Sequence, residues 1–352
     1  MFRSKRTALV KRLWKSRILY HEGNGETEDE FKSAAHSMLK RLKEKQLDIM
    51  VQSVESKGGE TTECVLLPKA DVKLATSRRY VSPHTLCCKL WRWPELQQGV
   101  EMKRLPCCST GEEQGYICCN PYHWSLLLKT DRPTPPSSPN ENHIERLATK
   151  DGFSPEPEET ETGLTPLPRQ EFINDDSTSG GGGKHWCTIA YWELRQRVGR
   201  LFPVVEPNFC VFQNLPHGDG MCLEILQQDS SSEAVRRTRE KIGFGIILSR
   251  EGDSVWAYNR GKYPVFVNSP TLDEPNCRTL VVRKLLPGYS LRIFDYDEAL
   301  VLRETRDPEL MDGPFDPSSV RISFAKGWGS CYSRQFVTSC PCWIEILLRI
   351  GR

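Results

Sequence analysis

Apolar residues near the start of the chain recur with a helical period. They stand three or four positions apart at Phe31, Ala35, Met38 and Leu42, and again at Leu47, Met50, Val51 and Val54. This spacing places them on one face of a helix, and the other side carries Lys40, Arg41, Lys43 and Lys45. The pattern predicts a helical region that ends at Gly58 and Gly59.

The second half of the chain has a different pattern, made of short apolar runs separated by turn residues. The runs include Ser254–Asn259, Tyr263–Asn268, Thr279–Leu286 and Leu291–Tyr296. A helical stretch near Ser232–Ile242 and an apolar stretch at Trp343–Ile350 are embedded among them. Such a pattern predicts a β-sandwich with helices at its ends.

Residues 131–183 separate these two regions and are rich in Pro, Ser, Thr, Glu and Gly. They offer too little apolar surface to offset the entropy of ordering, so they are interpreted as a linker. A chain of 352 residues is also long for one hydrophobic core. We therefore predict an α+β protein with a small α/β domain over 28–130 and a β-sandwich domain over 184–352.

The segment Met1–Arg17 carries seven basic and no acidic residues. We expect residues 1–27 to form a basic, flexible arm. A nuclear-localisation element, a phosphate-contacting arm and a surface helix are the alternatives.

Composition limits the class of protein. The sequence has 14 cysteines, and we find neither a secretory signal nor an apolar run long enough for a membrane helix. We expect a protein of the cytoplasm and nucleus that does not insert into membranes and whose cysteines are metal ligands or buried thiols. The net charge of +2 gives no general case for nucleic-acid binding. Phosphate-binding, hydrolase and dinucleotide motifs are absent, which favours a protein that is not an enzyme.

The best local chemistry lies around Cys118 and His123. These residues flank a turn at Asn120-Pro121, so both can face one metal ion. Structural zinc takes four N or S ligands. Cys64, Cys107 and Cys108 could complete the set, with Cys87 and Cys88 as competitors.

Several segments resemble the Smad family. Leu90–Leu96 (LWRWPEL) and Cys118–His123 (CCNPYH) are similar to the MH1 domain. Four later segments are similar to the MH2 domain: Ile189–Glu193 (IAYWE), Val255–Arg260 (VWAYNR), Lys326–Gly329 (KGWG) and Ser339–Glu345 (SCPCWIE). The N-terminal segment and Ser323–Cys342 resemble the inhibitory branch of the family.

For the first domain, the resemblance implies one structural zinc ion held by Cys64, Cys108, Cys118 and His123, with Cys107 as a substitute for Cys108. The zinc would staple a small domain. The family's DNA-reading hairpin has Lys73, Ala75 and Tyr80 at its contact positions here, and alanine cannot donate to a base. With Arg78 and Arg79 left to touch phosphate, we expect DNA binding to be weak or non-specific.

For the second domain, the resemblance implies a surface that binds a phosphorylated receptor segment. Its residues would be Arg236, Arg237, Arg239, Lys241, Lys326, Gly327, Trp328, Gly329 and Tyr332. A solvated helix face is the plainer interpretation of the arginines, and Trp328 is either a core anchor or an exposed contact. The family's phosphorylated Ser-x-Ser tail has no counterpart here, because no Ser or Thr follows Ser339.

The resemblance thus implies an antagonist of BMP and TGF-β family signalling that occupies activated type I receptors or partner Smads. A DNA-binding transcriptional corepressor that uses the first domain and the basic arm is the alternative, and other corepressors are candidate partners. The linker has no Pro-Pro-x-Tyr segment, so it gives no support for recruiting WW-domain ubiquitin ligases. Its candidate proline-directed phosphosites are Thr134, Ser138 and Ser154.

Overall fold

The computed structural model describes residues 5–18, 28–74, 80–97, 99–111, 115–128, 185–214, 219–226, 232–273, 281–305 and 316–350. The expected linker and its candidate phosphosites lie outside these residues, as do Ala75, Arg78 and Arg79 of the hairpin. The described residues up to Leu128 are called the first domain below, and those from His185 onward the second domain.

Helices dominate the beginning of the first domain. They are α1 (Lys5–Lys15), α2 (Glu28–Lys40), α3 (Glu44–Glu55) and α4 (Pro83–Trp91). The predicted helical region is confirmed by α2 and α3, whose apolar stripe forms the core of this domain. On α4, Leu86, Leu90 and Trp91 are buried in the same core.

Helix α1 corrects the expectation of a flexible basic arm for residues 5–15. Leu9 and Leu13 of α1 are buried in the first core, and the Trp91 indole N–H donates to the Leu13 carbonyl at 2.9 Å. The Arg12 guanidinium pairs with Glu55 of α3 at 2.6 Å. Apolar residues at the helical spacing of Leu9 and Leu13 outweigh the repulsion among the cations, because acidic residues of α3 neutralise part of the charge.

Short strands complete the first domain. They are β1 (Leu66–Pro68), β2 (Val72–Lys73), β3 (Tyr80–Val81), β4 (Met102–Arg104), β5 (Tyr116–Cys118) and β6 (Trp124–Leu127). Strand β1 pairs antiparallel with β5, and β2 pairs antiparallel with β3. The strand pair β1–β5 brings the residues before β1 next to the end of β5.

The second domain is a β-sandwich, as predicted. Its strands are β7 (Cys187–Glu193), β8 (Gln196–Val204), β9 (Asn208–Phe212), β10 (Gly220–Cys222), β11 (Ile246–Glu251), β12 (Ser254–Asn259), β13 (Val265–Asn268), β14 (Arg283–Leu285), β15 (Tyr289–Asp295), β16 (Ser319–Phe324) and β17 (Trp343–Leu348). The helices that flank it are α5 (Leu223–Leu226), α6 (Glu233–Ile242) and α7 (Tyr296–Thr305).

Two sheets enclose the core of the sandwich. One has the order β14–β13–β16–β17–β7–β8, and the other has the order β10–β9–β11–β12–β15 and continues into β6 and β4 of the first domain. Between them pack Ile189, Leu248, Ile293, Ile322 and Ile344, among other buried apolar residues. The apolar C-terminal stretch forms β17, an inner strand of the first of these sheets.

The two domains share a sheet because β6 pairs in parallel with β15. The Leu126 and Leu128 amides of the first domain donate to the Gly288 and Ser290 carbonyls of the second, at 3.0 and 2.9 Å. The Ser290 hydroxyl donates to the Ser125 hydroxyl at 2.7 Å. We call this contact between β6 and β15 the seam. No helix in the described ranges has the length and apolar character needed to cross a membrane.

Candidate functional sites

Three cysteines and one histidine meet at a single point in the first domain. Cys64 lies ahead of β1, Cys118 ends β5, and His123 closes the 3₁₀ turn Pro121–His123. Cys108 reaches the same point from the segment after β4. The ligand atoms of the four residues all lie within 4.8 Å of one another, so the cluster could hold a metal ion.

Three of the separations between these atoms match a tetrahedral zinc site. The Cys64 sulfur is 3.8 Å from the Cys108 sulfur and 3.5 Å from His123 Nδ1. The Cys118 sulfur is 3.6 Å from the same nitrogen. Tetrahedral bonds of about 2.3 Å to sulfur and about 2.0–2.1 Å to nitrogen would place neighbouring ligands about 3.6–3.8 Å apart. The donor set and its spacing therefore fit zinc.

Surrounding hydrogen bonds fix the orientation of the His123 ring. His123 Nε2 lies 3.1 Å from the Thr62 carbonyl, and a proton donated from Nε2 leaves Nδ1 free to face the thiols. The turn that carries His123 is held by buried Asn120, which accepts from the Tyr122 amide at 3.0 Å. The Ser53 hydroxyl of α3 donates to the same Asn120 oxygen at 2.6 Å.

The charge of the cluster also suits a cation. Hydrogen bonds with Cys108 and Cys118 hold the pKa of the Cys64 thiol well below its usual range. Contacts with Cys108 and Cys64 raise the pKa of the Cys118 thiol. Burial disfavours a charged His123 ring, yet hydrogen bonds to Cys108 and Cys64 outweigh it and raise the pKa of that ring to about 9. A hydrogen bond with Cys118 also lowers the pKa of the Cys108 thiol, so thiolate character is concentrated at Cys64 and Cys108. A metal ligand must be deprotonated, so a metal would displace the protons of Cys118 and His123.

The other cysteines proposed from the sequence lie outside the cluster. The Cys107 side chain is exposed, although Cys107 is next to Cys108. Cys87 and Cys88 are buried on α4, and the Cys87 thiol donates to the Met38 sulfur at 3.5 Å. Burial raises the pKa of the Cys88 thiol to about 12, which is typical of an inert thiol in the core.

The basic cluster of the second domain lies on α6, which has a buried and an exposed face. Val235, Thr238, Arg239 and Ile242 are buried. The exposed face carries Arg236 and Arg237, both paired with Glu233, and the Arg237–Glu233 separation is 2.8 Å. Lys241 is half-buried, with its amine 5.8 Å from the centre of the Tyr263 ring. The same face exposes Glu240, so the basic surface of α6 consists of Arg236, Arg237 and Lys241 and is smaller than the sequence suggests.

Arg239 is the residue that the structure removes from that surface. Its guanidinium donates two hydrogen bonds of 2.7 Å to the Glu193 carboxylate of β7. The side chains of Arg239 and Glu193 are each only 9% exposed. A cation in this position anchors α6 to the sheet and cannot also meet a partner protein.

The segment Lys326–Tyr332 is shaped by its tryptophan. Trp328 is 2% exposed and packs with Phe266, Cys340 and Trp343, so it is a core anchor and not an exposed contact. Gly327 is required here, because an added Cβ would come within 2.6 Å of the Tyr332 ring. Gly327 and Gly329 are themselves buried, whereas Lys326 and Tyr332 are half-buried. The accessible chemistry of this loop is that of exposed Ser330 and Cys331 together with the half-buried Lys326 and Tyr332.

The two domains correspond to known families. Residues 31–128 match the MH1 domain, and residues 184–349 match the MH2 domain. The chain is similar to "Mothers against decapentaplegic homolog 6" of Gallus gallus, with 51% identity over 92% of this chain and 76% of that protein. The chain belongs to the inhibitory Smads. As an inhibitory Smad, it is an antagonist of BMP and TGF-β family signalling.

This inhibitory Smad is also similar to "Mothers against decapentaplegic homolog 7". The proteins from Rattus norvegicus and Homo sapiens are each 44% identical over 92% of this chain and 79% of their own length. These relatives are signalling regulators and not enzymes. The expected α+β architecture, with an MH1 domain followed by an MH2 sandwich, is confirmed.

Sequence reasoning missed Glu193, although the sequence contains a signal for it. On β7, residues Ile189, Tyr191 and Glu193 share one face by strand alternation, and all are buried. A carboxylate on an apolar face requires a cation or several donors. Tyr191 donates to Glu193 at 2.9 Å, and Arg239 supplies the charge. Arg239 could not be identified as the partner, because it lies 46 positions away in the sequence.

Proposed function

We propose that this inhibitory Smad acts by occupancy, with its MH2 domain bound to activated type I receptors of the BMP and TGF-β families or to partner Smads. The observation that carries the proposal is the exposed basic face of α6, formed by Arg236 and Arg237 with Lys241 at its edge. Its expected ligand is a phosphorylated, acidic receptor segment. No catalytic step is needed for this mechanism.

The two arginines on α6 can exchange their present partner, Glu233, for a phosphate group. Arg236 and Arg237 share a single carboxylate, Glu233, and the side chains of all three are more than half exposed. Exposed ion pairs of this kind contribute only about 0–1 kcal/mol. A phosphate brings about 1.5 to 2 negative charges and three acceptor oxygens, so it competes well with one carboxylate for two guanidinium groups.

The loop Lys326–Tyr332 is the second part of the proposed receptor surface. Trp328 fixes the loop from inside the core, and Gly327 lets the Tyr332 ring lie against the backbone. The loop then presents Lys326 and Tyr332 in a fixed shape. We assign Gly327, Trp328 and Gly329 the task of holding this shape. Direct contact is left to Lys326 and Tyr332, with exposed Ser330 and Cys331 between them.

We also propose that Cys64, Cys108, Cys118 and His123 hold one structural zinc ion. All four tetrahedral positions are taken by protein side chains, which is typical of a structural site. Zinc would tie together the residue before β1, the end of β5 and the segment after β4. Such a staple suits a small domain whose strands are only two to four residues long.

DNA-binding corepression by the MH1 domain is the second candidate function. Exposed Lys73, paired with Tyr80 on the β2–β3 hairpin, favours contact with phosphate. Against it, Lys5 and Arg12 of α1 are engaged by acidic residues of α3. We expect weak, salt-sensitive binding without sequence preference, and residence in both the cytoplasm and the nucleus.

The test is the affinity of the full chain for a type I receptor kinase domain, with and without receptor phosphorylation. The Arg237→Glu, Lys241→Glu double variant is expected to weaken binding to the phosphorylated form by about 1–3 kcal/mol, roughly five- to 150-fold in Kd. The matched control reverses two other exposed cations of the second domain, Arg195→Glu and Arg303→Glu. Equal affinity of the α6 variant and the wild type would place the inhibitory surface elsewhere.

A further inference from the structure

The seam between the domains is reinforced by one arginine from each side. Arg260 of the second domain donates to the Gly58 and Gly59 carbonyls of the first, with Nη2 3.2 Å from the Gly59 oxygen. Arg92 of the first domain donates to the Tyr258 hydroxyl of the second at 2.8 Å. The first contact joins a side chain of the second domain to the backbone of the first, and the second joins two side chains. Both add to the pairing of β6 with β15.

The same residues surround the turn that carries His123. Arg92 donates to the Pro121 carbonyl at 2.9 Å and to the Trp124 carbonyl, so it holds the chain on both sides of His123. Gly58, which receives Arg260, adopts a φ of +72° and lies against Tyr122 of this turn. Both arginines of the seam therefore contact, directly or through Gly58, residues that lie within two positions of the candidate ligand His123.

Strand β6 also depends on that turn. Trp124, the first residue of β6, directly follows His123. The Leu105 amide donates to the His123 carbonyl, and the Cys108 amide donates to the Leu105 carbonyl, each at 2.9 Å. Two of the four candidate ligands thus lie at one end of the β4–β6 pair, next to Arg104 and Trp124, and this pair is the part of the first domain that enters the shared sheet.

We propose that the Cys64, Cys108, Cys118 and His123 centre is a metal-dependent latch between the domains: the bound metal fixes the His123 turn in the form that β15, Tyr258 and Arg260 of the second domain recognise. The proposal rests on the zinc site proposed above. The partner of this first-domain surface is the chain's own second domain. By reciprocity, contact with the second domain must stabilise metal binding as much as the metal stabilises the contact.

The reciprocal effect provides a test that does not depend on damaging the metal site. Zinc affinity is measured for the full chain by competition with a chromophoric chelator, in the wild type and in Arg260→Ala. The variant leaves all four ligands intact but removes the contact with Gly58 and Gly59. We expect its zinc affinity to fall by at least about fivefold, the lower end of ordinary coupling between two sites. Arg292→Ala, an exposed arginine of β15 paired with Asp295, is the matched control and should bind zinc as the wild type does.

Hydrogen exchange of the full chain gives the second readout. The Leu126 and Leu128 amides donate across the seam, so their exchange reports its opening. They should exchange faster after chelation, and also in zinc-loaded Arg260→Ala, while the amides of β17 stay protected. Unchanged zinc affinity in Arg260→Ala, or unchanged exchange at Leu126 and Leu128 after the metal has left, would overturn the latch alone. A chain that holds no zinc would overturn both the latch and the proposed metal site.

Discussion

Removal of the Arg239 side chain should destabilise the second domain more than removal of any exposed arginine on α6. In Arg239→Ala the Glu193 carboxylate, which is 9% exposed in the wild type, keeps the Tyr191 hydroxyl as its one donor among the described residues. Loss of one partner of a buried ion pair costs about 3–5 kcal/mol, because the remaining charge is uncompensated. The Arg237→Ala variant breaks an exposed pair and should cost less than about 1 kcal/mol.

Thermal unfolding of the full chain measures the difference, recorded by calorimetry because the nine tryptophans are divided between the two domains. At about 2–4 °C per kcal/mol for a domain of this size, Arg239→Ala should lower Tm by roughly 6–20 °C. The Arg239→Met, Glu193→Leu double variant removes both charges and should recover most of the loss. A double variant as unstable as Arg239→Ala alone would refute the idea that an unpaired charge causes the loss.

Three further predictions concern the first domain. Elemental analysis of the purified chain should find one zinc ion. The Cys118→Ala, His123→Ala double variant should lose this zinc, and Cys107→Ala should retain it. Retention of zinc in the double variant would contradict the assigned ligands. Gly58→Ala should lower the free energy of chemical unfolding by about 1–3 kcal/mol, because Gly58 has a φ of +72° and faces Tyr122. Gly99 has a φ of +88° but open space around it, so Gly99→Ala should lose only the part of this free energy that is due to backbone strain. Burial lowers the pKa of His84 to about 4, so between pH 4 and 6.5 the unfolded chain binds a proton on His84 that the folded chain does not bind. The free energy of unfolding should therefore rise with pH across this window, by up to about 3 kcal/mol. A His84→Gln variant that kept the full slope would show that another group is responsible.

Local patterns were sufficient for the elements of the core. The strand predicted over Ser254–Asn259 is β12 with the same bounds, and the helix predicted near Ser232–Ile242 is α6. The period of apolar residues determines such elements, because each buries one face. For the metal centre, the turn of Asn and Pro predicted that Cys118 and His123 face one ion, whereas the choice of Cys64 and Cys108 came from the resemblance to the Smad family.

Contacts between distant parts of the chain could not be predicted from local sequence patterns. The basic segment at the N-terminus was expected to be flexible, yet Leu9 and Leu13 bury α1 against helices that follow much later. Arg239 has the same local setting as Arg237, and only its position on the inner face of α6 separates a buried ion pair from an exposed one. The seam between β6 and β15 depends on two strands from different domains, and neither strand's sequence specifies the other.

We propose that this inhibitory Smad blocks signalling through the exposed basic face of α6. The most direct measurement is a BMP-responsive transcription reporter in cells that express the full chain at matched levels as wild type, as Arg237→Glu with Lys241→Glu, or as the Arg195→Glu, Arg303→Glu control. We expect the wild type and the control to suppress the reporter, and the α6 variant, folded and equally abundant, to leave it active. Full suppression by the α6 variant would contradict this proposal.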